Sequence, residues 1–397
     1  MKGKVTSANI KVIDGNTAAA YGVMLCKPEV IATYPITPQT QILEHLFDFK
    51  NKGLLNAEIV VPESEHSAMS IVCGASGCGA RTFTATASQG LAFMYEARIC
   101  ASTSRLPIVM VNVNREVVVP RNVTSGEQDI MMARVDGWIH IHVESCQEIL
   151  DSIIMAYRLA EDLDINVPVV VCYDGYFLSH LWDAVEIPDQ ETVDSFLPPR
   201  QTTLRVDPKI HMTFSSTTSG LTGTKCRYGH SAALQRAKAK IDEIDQEFQQ
   251  VFGRSYGGQI EGYRVGDADT VLVALGSCVG TARVVIDKMR NEGLKVGLVK
   301  VRAYRPFPNE KLLDMLKGKK AIGVIERNIA FGMNFGALYV DLRSVLYELG
   351  TAIPMLGFVC GLCGLDITEA SIERAINAVN LAAEGKPYNK VTWLDLE

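Results

Sequence analysis

The sequence lacks the long apolar segment that a membrane-spanning helix requires. Hydrophobic side chains make up 47% of the 397 residues, but no uninterrupted apolar run approaches the roughly 20 residues that cross a bilayer. Met1–Val5 contains no apolar core of a signal peptide. Runs of lysine or arginine, which would mark a membrane or nucleic-acid surface, are also missing, and the net charge is −6. We therefore expect a cytoplasmic protein that binds neither membranes nor nucleic acids.

Closely spaced cysteines are scarce, although the chain contains ten cysteines. An iron–sulfur cluster or a zinc site needs several converging thiolates, which usually appear as repeated short spacings. Only Cys360 and Cys363 form a C-x-x-C pair, and no second pair accompanies them. We interpret the pair as a buried turn, and we predict no metal site in this chain.

A dinucleotide-binding motif is absent as well. Residues 74–79 read Gly-Ala-Ser-Gly-Cys-Gly, which departs from G-x-G-x-x-G and lies inside a predicted helix. No acidic residue ends a following strand at the expected distance. These observations argue against a nicotinamide-dependent dehydrogenase.

Strand-like and helix-like patterns alternate along two regions of the chain. In the first region, apolar β-branched runs at 108–113 and 167–172 are typical of strands buried on both faces of a parallel sheet. Three further runs, at 269–277, 296–301 and 321–326, form the second region. Strands interleaved with helices predict an α/β fold with parallel sheets, in which ligands bind at the carboxyl ends of the strands.

The two regions predict two domains, as expected for a chain of this length. We assign residues 1–185 to the first domain and residues 263–397 to a second, smaller α/β domain. The linker between them, 186–262, contains prolines and a Ser/Thr/Gly-rich stretch at 213–223, which predict irregular structure. Residues 231–252 are charged and predict an exposed helix within this linker.

Two motifs near the N-terminus carry the strongest functional signal. Residues 34–40 read Tyr-Pro-Ile-Thr-Pro-Gln-Thr, and residues 62–68 read Pro-Glu-Ser-Glu-His-Ser-Ala. Pro35 and Pro38 predict a fixed turn after a strand, and Glu65 is expected to open a helix. Together the motifs resemble the α subunit of the 2-oxoacid:ferredoxin oxidoreductases, the pyruvate:ferredoxin oxidoreductase family.

The resemblance implies an enzyme that uses thiamine diphosphate, and it gives roles to individual residues. Glu65 matches the glutamate that activates the aminopyrimidine ring, and Thr37 matches the threonine that faces the substrate. Without the resemblance, Glu63 and Glu65 would be interpreted as acids that favour a helix N-terminus. The residues implied to line the cofactor are Pro35, Glu65, Ser88, Gln89 and Gly90.

Arg115 follows the predicted strand at 108–113 and would place a permanent cation at its carboxyl end. A guanidinium group binds a carboxylate through two parallel hydrogen bonds, and a 2-oxo acid carries such a carboxylate. The resemblance places the substrate arginine of the family at this position. An exposed arginine without a ligand is the alternative from the residues alone.

The loop that follows Arg115, residues 116–129 and here called the substrate loop, departs from the pattern of pyruvate enzymes. Gly126-Glu127 stands where those enzymes carry an Asp-His pair, and Arg121 is an additional cation. We expect this loop to close over the substrate, so the departure leaves both pyruvate and a bulkier 2-oxo acid open. The loop residues that we expect to contribute to the site are Arg121, Asn122, Glu127 and Gln128.

A second half-site is missing from the chain. The family holds Mg²⁺ and the cofactor diphosphate with a Gly-Asp-Gly motif and a later Asn, and the nearest fragment here is Tyr173-Asp174-Gly175. The resemblance therefore implies a β subunit that supplies these ligands, together with γ and ferredoxin-like δ subunits that carry the iron–sulfur clusters. It also implies a pyrimidine-binding α/β domain followed by a smaller domain like the C-terminal domain of transketolases.

We predict the α subunit of a CoA-dependent 2-oxoacid:acceptor oxidoreductase. It would convert a 2-oxo acid, pyruvate by default, to acyl-CoA and CO₂ and deliver low-potential electrons to ferredoxin or another acceptor. Two alternatives stay open: the same chemistry on phenylglyoxylate or a branched-chain 2-oxo acid, and a non-catalytic scaffold subunit of such a complex.

Overall fold

A computed structural model describes residues 9–202, 205–207, 209–211, 213, 216–350 and 352–396. The predictions for Met1–Val5 and for part of the 213–223 stretch concern residues outside these ranges. The strands and helices up to residue 252 are β1 (Ile10–Asp14), α1 (Gly15–Cys26), β2 (Val30–Ala32), α2 (Thr40–Asn51), β3 (Glu58–Val60), α3 (Glu65–Gly77), β4 (Thr82–Thr86), α4 (Ser88–Phe93), α5 (Tyr95–Thr103), β5 (Val109–Asn114), α6 (Gln128–Met132), β6 (Ile139–His142), α7 (Cys146–Ala160), β7 (Val169–Asp174), β8 (Trp182–Glu186), α8 (Gln190–Phe196) and α9 (Gly220–Phe252).

The elements after residue 252 alternate in the same way. They are β9 (Ile260–Tyr263), β10 (Thr270–Ala274), α10 (Cys278–Asn291), β11 (Val296–Val301), β12 (Ala303–Arg305), α11 (Asn309–Leu316), β13 (Ala321–Glu326), α12 (Ala337–Leu346), β14 (Met355–Val359), α13 (Glu369–Ala383) and β15 (Val391–Trp393), with short 3₁₀ turns at Tyr347–Leu349, Leu362–Gly364 and Leu394–Leu396.

The described strands form two largely parallel sheets and one small ribbon. The first sheet has the order β12-β6-β7-β5-β4-β2-β3, and the second has the order β15-β14-β13-β10-β11-β9. Each sheet is antiparallel only at one edge, where β12 pairs with β6 and β9 pairs with β11. Strands β1 and β8 form a separate antiparallel ribbon. The α/β prediction is confirmed.

The central strands form where the sequence is apolar without interruption. Every residue of β5 and β7 is buried, because helices cover both faces of the sheet. Strand β6 was not predicted, since His140 and His142 alternate with isoleucines and give it a polar pattern. Both histidines are nevertheless buried, and burial lowers the pKa of His142 to about 3.

Strand β12 belongs to the first sheet although it follows β11 of the second sheet in sequence. Ala303 pairs with Ile141 and Arg305 with His140. The second region of the chain thus completes the first sheet, and the domain limits at 185 and 262 stay predictions.

Helix α9 differs from the exposed helix predicted at 231–252. It begins earlier, at Gly220, and one of its faces is buried. The buried apolar residues recur every three or four positions, which is the period of a helix that packs on one side. These residues are Ala233, Ala237, Ile241, Ile244 and Phe248. Among the charged residues that suggested exposure, Arg236, Glu243 and Glu247 are exposed, whereas Asp245 is buried with the apolar residues.

Membrane insertion through a helix finds no support in the described ranges. None of the helices there is both long and apolar enough to cross a bilayer.

Candidate functional site

Four connections meet at one edge of the first sheet. Strands β3, β2, β4 and β5 are consecutive parallel neighbours, so their carboxyl ends lie side by side. The 34–40 turn follows β2, Glu65 follows β3, Ser88 follows β4 and Arg115 follows β5. The topology therefore gathers residues that are as far as 78 positions apart in sequence.

Glu65 opens helix α3, as expected. The Ser64 hydroxyl caps this helix by accepting the Ser67 amide at 3.2 Å. Glu65 is only 8% exposed, and its carboxylate lies against Gly90, where an added Cβ atom would be 2.7 Å from Oε1 of Glu65. Within the described ranges, no hydrogen bond or ion pair engages this carboxylate. It is a buried acid whose oxygen atoms can serve a ligand.

The 34–40 turn is fixed from inside the domain. The Thr37–Pro38 peptide bond is cis, and the buried Asn16 side chain donates a hydrogen bond to the Pro38 carbonyl at 2.8 Å. Pro35 and Thr37 are exposed at the tip of the turn. The Thr37 hydroxyl is therefore accessible on a rigid support.

The Arg115 guanidinium joins three of the connections. It donates to the Thr37 carbonyl at 2.8 Å, to Oε1 of Gln89 at 3.2 Å and to the Asn122 carbonyl at 3.3 Å. All three acceptors are neutral, and no ion pair links this guanidinium to a carboxylate of the described residues. Arg115 is 7% exposed, and burial lowers its pKa. Asp129 favours the charged form of the guanidinium from nearby without pairing with it, so the hydrogen-bonding groups of Arg115 stay available to an anionic ligand.

Asp129 organises this site, although no sequence motif announced it. Its carboxylate accepts the amides of Ser88 at 2.8 Å, Arg115 at 3.1 Å and Ile130 at 2.8 Å, and the side chain of Asn112 at 3.0 Å. Burial raises the pKa of Asp129 to about 6. The four hydrogen-bond donors act in the opposite direction, because they favour the charged form. One carboxylate thus fixes both the cofactor-side strand end and the arginine.

Tyr176 is a second neighbour of Arg115 without a predicted role. It follows β7 in the left-handed region, with φ of 64°, and its ring stacks on His180 at a centroid distance of 5.1 Å. Burial lowers the pKa of Arg115, and the charges of Tyr176 and Asp129 act in the opposite direction.

The four residues of the substrate loop that we expected in the site do not lie together. The Asn122 carbonyl contacts the guanidinium, and Arg121 is exposed. Glu127 and Gln128 turn away: their side chains accept hydrogen bonds at 3.4 and 3.1 Å from residues 328–329, which follow β13 of the second sheet. Burial raises the pKa of Glu127 well above its ordinary value.

Metal ligands do not converge in the described part of the chain, where no group of three or more His, Cys, Asp or Glu side chains could hold an ion. The ten cysteines are free. Cys360 is buried and its pKa is raised to about 12 by burial, whereas Cys363 is exposed. The predicted buried turn is thus buried only at its first cysteine.

Comparison with protein families agrees with this arrangement. A family described as pyruvate flavodoxin/ferredoxin oxidoreductase, thiamine diphosphate-binding, matches residues 21–246. The chain belongs to this family. The pyruvate:ferredoxin oxidoreductase core domain II matches residues 268–372. The resemblance stated from the two N-terminal motifs is confirmed, and the chain is a subunit of a thiamine diphosphate-dependent 2-oxoacid oxidoreductase.

Curated relatives match nearly the whole chain. Pyruvate synthase subunit PorA of Methanosarcina barkeri is 41% identical over 97% of this chain and 96% of the relative. The α subunit of NADH-dependent phenylglyoxylate dehydrogenase of Aromatoleum evansii is 40% identical over 94% and 91%. Ketoisovalerate oxidoreductase subunit VorA of Pyrococcus horikoshii is 39% identical over 98% of both chains.

Solved structures share the fold. The 2-oxoglutarate:ferredoxin oxidoreductase of Magnetococcus marinus superimposes with a TM-score of 0.71 at 21% identity, covering 93% of this chain. The present chain spans 65% of the length of that one. A split-gene transketolase superimposes with a TM-score of 0.52 at 14% identity, over 91% of this chain and 97% of the other. The predicted combination of a pyrimidine-binding sheet domain and a transketolase-like C-terminal domain is confirmed.

Proposed function

We propose that this chain is the α subunit of a CoA-dependent 2-oxoacid oxidoreductase and that it acts on pyruvate. The observation that carries the proposal is the Arg115 guanidinium, a buried cation whose hydrogen-bond acceptors are all neutral oxygen atoms. It lies at the same sheet edge as Glu65, the buried acid at the start of α3. A 2-oxo acid decarboxylase needs two groups in this half of its site: a cation that binds the substrate carboxylate and a carboxyl group that exchanges a proton.

Arg115 binds the carboxylate of the 2-oxo acid in this proposal. The guanidinium fork matches the two carboxylate oxygens, and its weak contacts to neutral carbonyls supply orientation without neutralising the charge. Thr37 presents its hydroxyl from the rigid turn beside the guanidinium and orients the 2-oxo group. Gln89 holds the other side of the fork.

Glu65 fits the aminopyrimidine half of thiamine diphosphate. That cofactor supplies the electron sink for decarboxylation when it is bound. The Glu65 carboxylate is buried and makes no hydrogen bond or ion pair with a described residue. It packs against Gly90, where an added Cβ atom would meet both Glu65 and Thr86. In this position Glu65 would hold the aminopyrimidine and exchange a proton with it as a general acid–base. Pro35, Ser88 and Gly90 form the surrounding wall.

Partner subunits complete the reaction in this proposal. A β subunit supplies the Mg²⁺ and diphosphate ligands, and γ and δ subunits carry the iron–sulfur clusters. The overall reaction would convert the 2-oxo acid and the CoA thiol to acyl-CoA, CO₂ and a proton, and those clusters would take the two electrons for ferredoxin or another acceptor. Exposed apolar side chains flank the site and suit a subunit contact; they are Phe93, Val118, Val119, Val123 and Met132.

A bulkier 2-oxo acid is the second candidate substrate. The relatives named for pyruvate, phenylglyoxylate and ketoisovalerate differ by only two percentage points in identity, at 41, 40 and 39%, so identity does not select among these acids. Glu127 and Gln128 of the substrate loop face away from Arg115. Their polar side chains therefore do not indicate whether the substrate is small or large. An activity assay on the native complex identifies the substrate. It measures CoA-dependent reduction of a viologen dye with pyruvate, 2-oxoisovalerate, phenylglyoxylate, 2-oxoglutarate and oxalate.

Glu65→Gln tests the proposed chemistry, with Glu63→Gln as its matched control. Glu63 is exposed and its carboxylate accepts the Ser67 hydroxyl. In complexes that contain each variant, Glu65→Gln should lower kcat by roughly a hundred- to ten-thousandfold, because it removes a general acid–base. Glu63→Gln should keep the wild-type rate. Full activity of Glu65→Gln would reject the assigned role, and no turnover of any acid by the wild-type complex would favour a scaffold subunit.

A further inference from the structure

The second sheet's unit contacts the substrate loop through a turn at residues 361–365, here called the C-terminal turn. The Cys363 amide donates to the Glu116 carboxylate at 3.2 Å, and the Gly364 amide donates to the Ser125 carbonyl at 2.9 Å. Two consecutive amides therefore hold the beginning and the end of the loop at once.

The C-terminal turn is itself anchored on its own unit. The Arg327 guanidinium donates to the carbonyls of Gly361 and Leu365, both at 3.3 Å. The Gly361 amide donates to the Asp395 carboxylate at 2.7 Å. Because both ends of the turn are held by these hydrogen bonds, the amides of Cys363 and Gly364 have fixed positions against the substrate loop.

The substrate loop transmits this support to Arg115. The Glu116 amide donates to the Thr124 carbonyl at 3.2 Å and closes the loop, and the Asn122 carbonyl inside it accepts from the Arg115 guanidinium. Gly364 packs directly on this loop: an added Cβ atom would lie 2.5 Å from Cβ of Thr124. A displacement of residues 124–125 would therefore carry the Asn122 carbonyl with it.

We propose that the C-terminal turn is a positioning element for substrate binding, which holds the substrate loop so that the Asn122 carbonyl orients Arg115. This inference rests on the proposed function, because it concerns Arg115 as the ligand of the 2-oxo acid carboxylate. It assigns a role to the second α/β unit, which contributes none of the residues predicted to touch the cofactor or the substrate.

Gly364→Ala tests the proposal, with Gly385→Ala as its matched control. Both glycines have left-handed backbones, with φ of 83° and 77°, so alanine introduces the same kind of strain at each. Only at Gly364 does the new Cβ atom meet a neighbour, since nothing lies within 4 Å of it at Gly385. The difference between the variants therefore reports the contact with Thr124.

Two readouts are measured on the intact complex. For Gly364→Ala we expect the KM for the preferred 2-oxo acid to rise roughly ten- to hundredfold, the effect of misplacing a substrate-binding group by about 1 Å. The kcat and the bound thiamine diphosphate should change little. Hydrogen exchange of the backbone amides at 116–125 should quicken in the same variant. Gly385→Ala should stay within about twofold of wild type in KM.

Hydrogen exchange separates this proposal from the proposed function. If the wild-type complex turns over no 2-oxo acid, the proposed function fails, while exchange at 116–125 still reports whether the turn holds the loop. If the wild-type complex is active and Gly364→Ala matches it in KM and exchange, the positioning role is rejected.

A second pair of variants decides the matter if Gly364→Ala does not fold. Glu116→Gln keeps an oxygen that can accept the Cys363 amide, whereas Glu116→Ala removes it. We expect Glu116→Ala to raise KM and loosen the loop, and Glu116→Gln to restore both. Equal behaviour of the two variants would overturn the proposal.

Discussion

Arg115 concentrates the electrostatic character of the site in one residue. A buried guanidinium usually has a carboxylate partner, because an uncompensated charge is costly away from water. Here the carbonyls of Thr37 and Asn122 and the side chain of Gln89 share it instead. We expect an anionic substrate to offset this cost.

Arg115→Ala should therefore weaken substrate binding more than it slows chemistry. We expect a KM for the 2-oxo acid that is roughly ten- to hundredfold higher, the value of a hydrogen-bonded contact to a charged group. Arg121→Ala is the comparison, since Arg121 is the exposed cation of the substrate loop and its loss should raise KM less. Steady-state kinetics on both complexes measure the difference, and equal KM values would remove Arg115 from the substrate site.

Asp129 gives the same site a dependence on pH. As a carboxylate it accepts the amides of Ser88 and Arg115, and burial raises its pKa to about 6. Because only the ionised form accepts all four donors, we expect kcat/KM to fall as the pH drops below about 6. Asp129→Asn should lower kcat/KM and abolish this acid limb, and an unchanged limb would contradict the assignment.

Stability should respond to Asp129 in the opposite direction. Its pKa in the folded protein lies above the value near 3.9 of an unfolded aspartate, so the folded state holds the proton more tightly. The contribution to the free energy of unfolding is complete below about pH 4 and is lost as the pH rises through about 6. Ionisation of Asp129 thus costs stability where it supports activity.

At the scale of elements, the packing of helix α4 on helix α3 shapes the cofactor wall. Gly90 lies in α4 with Glu65 at the start of α3 beside it, and the two are close because Gly90 has no side chain. Ser88, Leu91 and Ala92 of α4 and Tyr95 of α5 line a cavity of about 210 Å³, which Asp129 also borders.

Gly90→Ala should displace the Thr86 hydroxyl and the Glu65 carboxylate, since the new Cβ atom would contact the first and lie 2.7 Å from an oxygen of the second. We expect a large loss of kcat and of bound thiamine diphosphate with the fold retained. Gly74→Ala in α3 is the control: nothing lies within 4 Å of its Cβ position, and alanine should stabilise the helix by up to about 1 kcal/mol. Cofactor content and circular dichroism distinguish the two, and an active Gly90→Ala complex would place the cofactor elsewhere.

At the scale of the whole molecule, a buried ion network joins the two sheets' units. Glu148 of α7 accepts Lys300 of β11 at 2.6 Å and Arg302 at 2.8 Å. All three side chains are almost fully buried. Together with β12, which enters the first sheet immediately after Arg302, these contacts set the position from which the C-terminal turn supports the substrate loop.

Glu148→Gln should destabilise the protein by about 3 to 5 kcal/mol, because buried Arg302 loses its carboxylate and Lys300 keeps only Glu144, at 3.5 Å. The control is Glu373→Gln, which removes an exposed partner of Lys288 and should cost no more than about 1 kcal/mol. Thermal unfolding of both complexes at one scan rate compares them. A similar melting temperature for the two variants would show that the network is not needed for the docking of the units.

Local patterns determined much of the fold and part of the site. The apolar runs at 108–113 and 167–172 became β5 and β7, and Glu65 and Arg115 lie where a helix begins and a strand ends. These features depend on residues adjacent in sequence, whose periodicity reports burial directly. The pyruvate-type family was recognisable for the same reason, since its motifs are contiguous.

Only the tertiary structure decided which of those residues meet. Glu127 and Gln128 follow Arg115 closely in sequence yet face residues 328–329, while Asp129 beside them binds the Arg115 amide. Strand order, side-chain direction and the return of β12 to the first sheet set these contacts. Such long-range choices depend on the packing of whole elements, which the local pattern of polar and apolar residues does not encode.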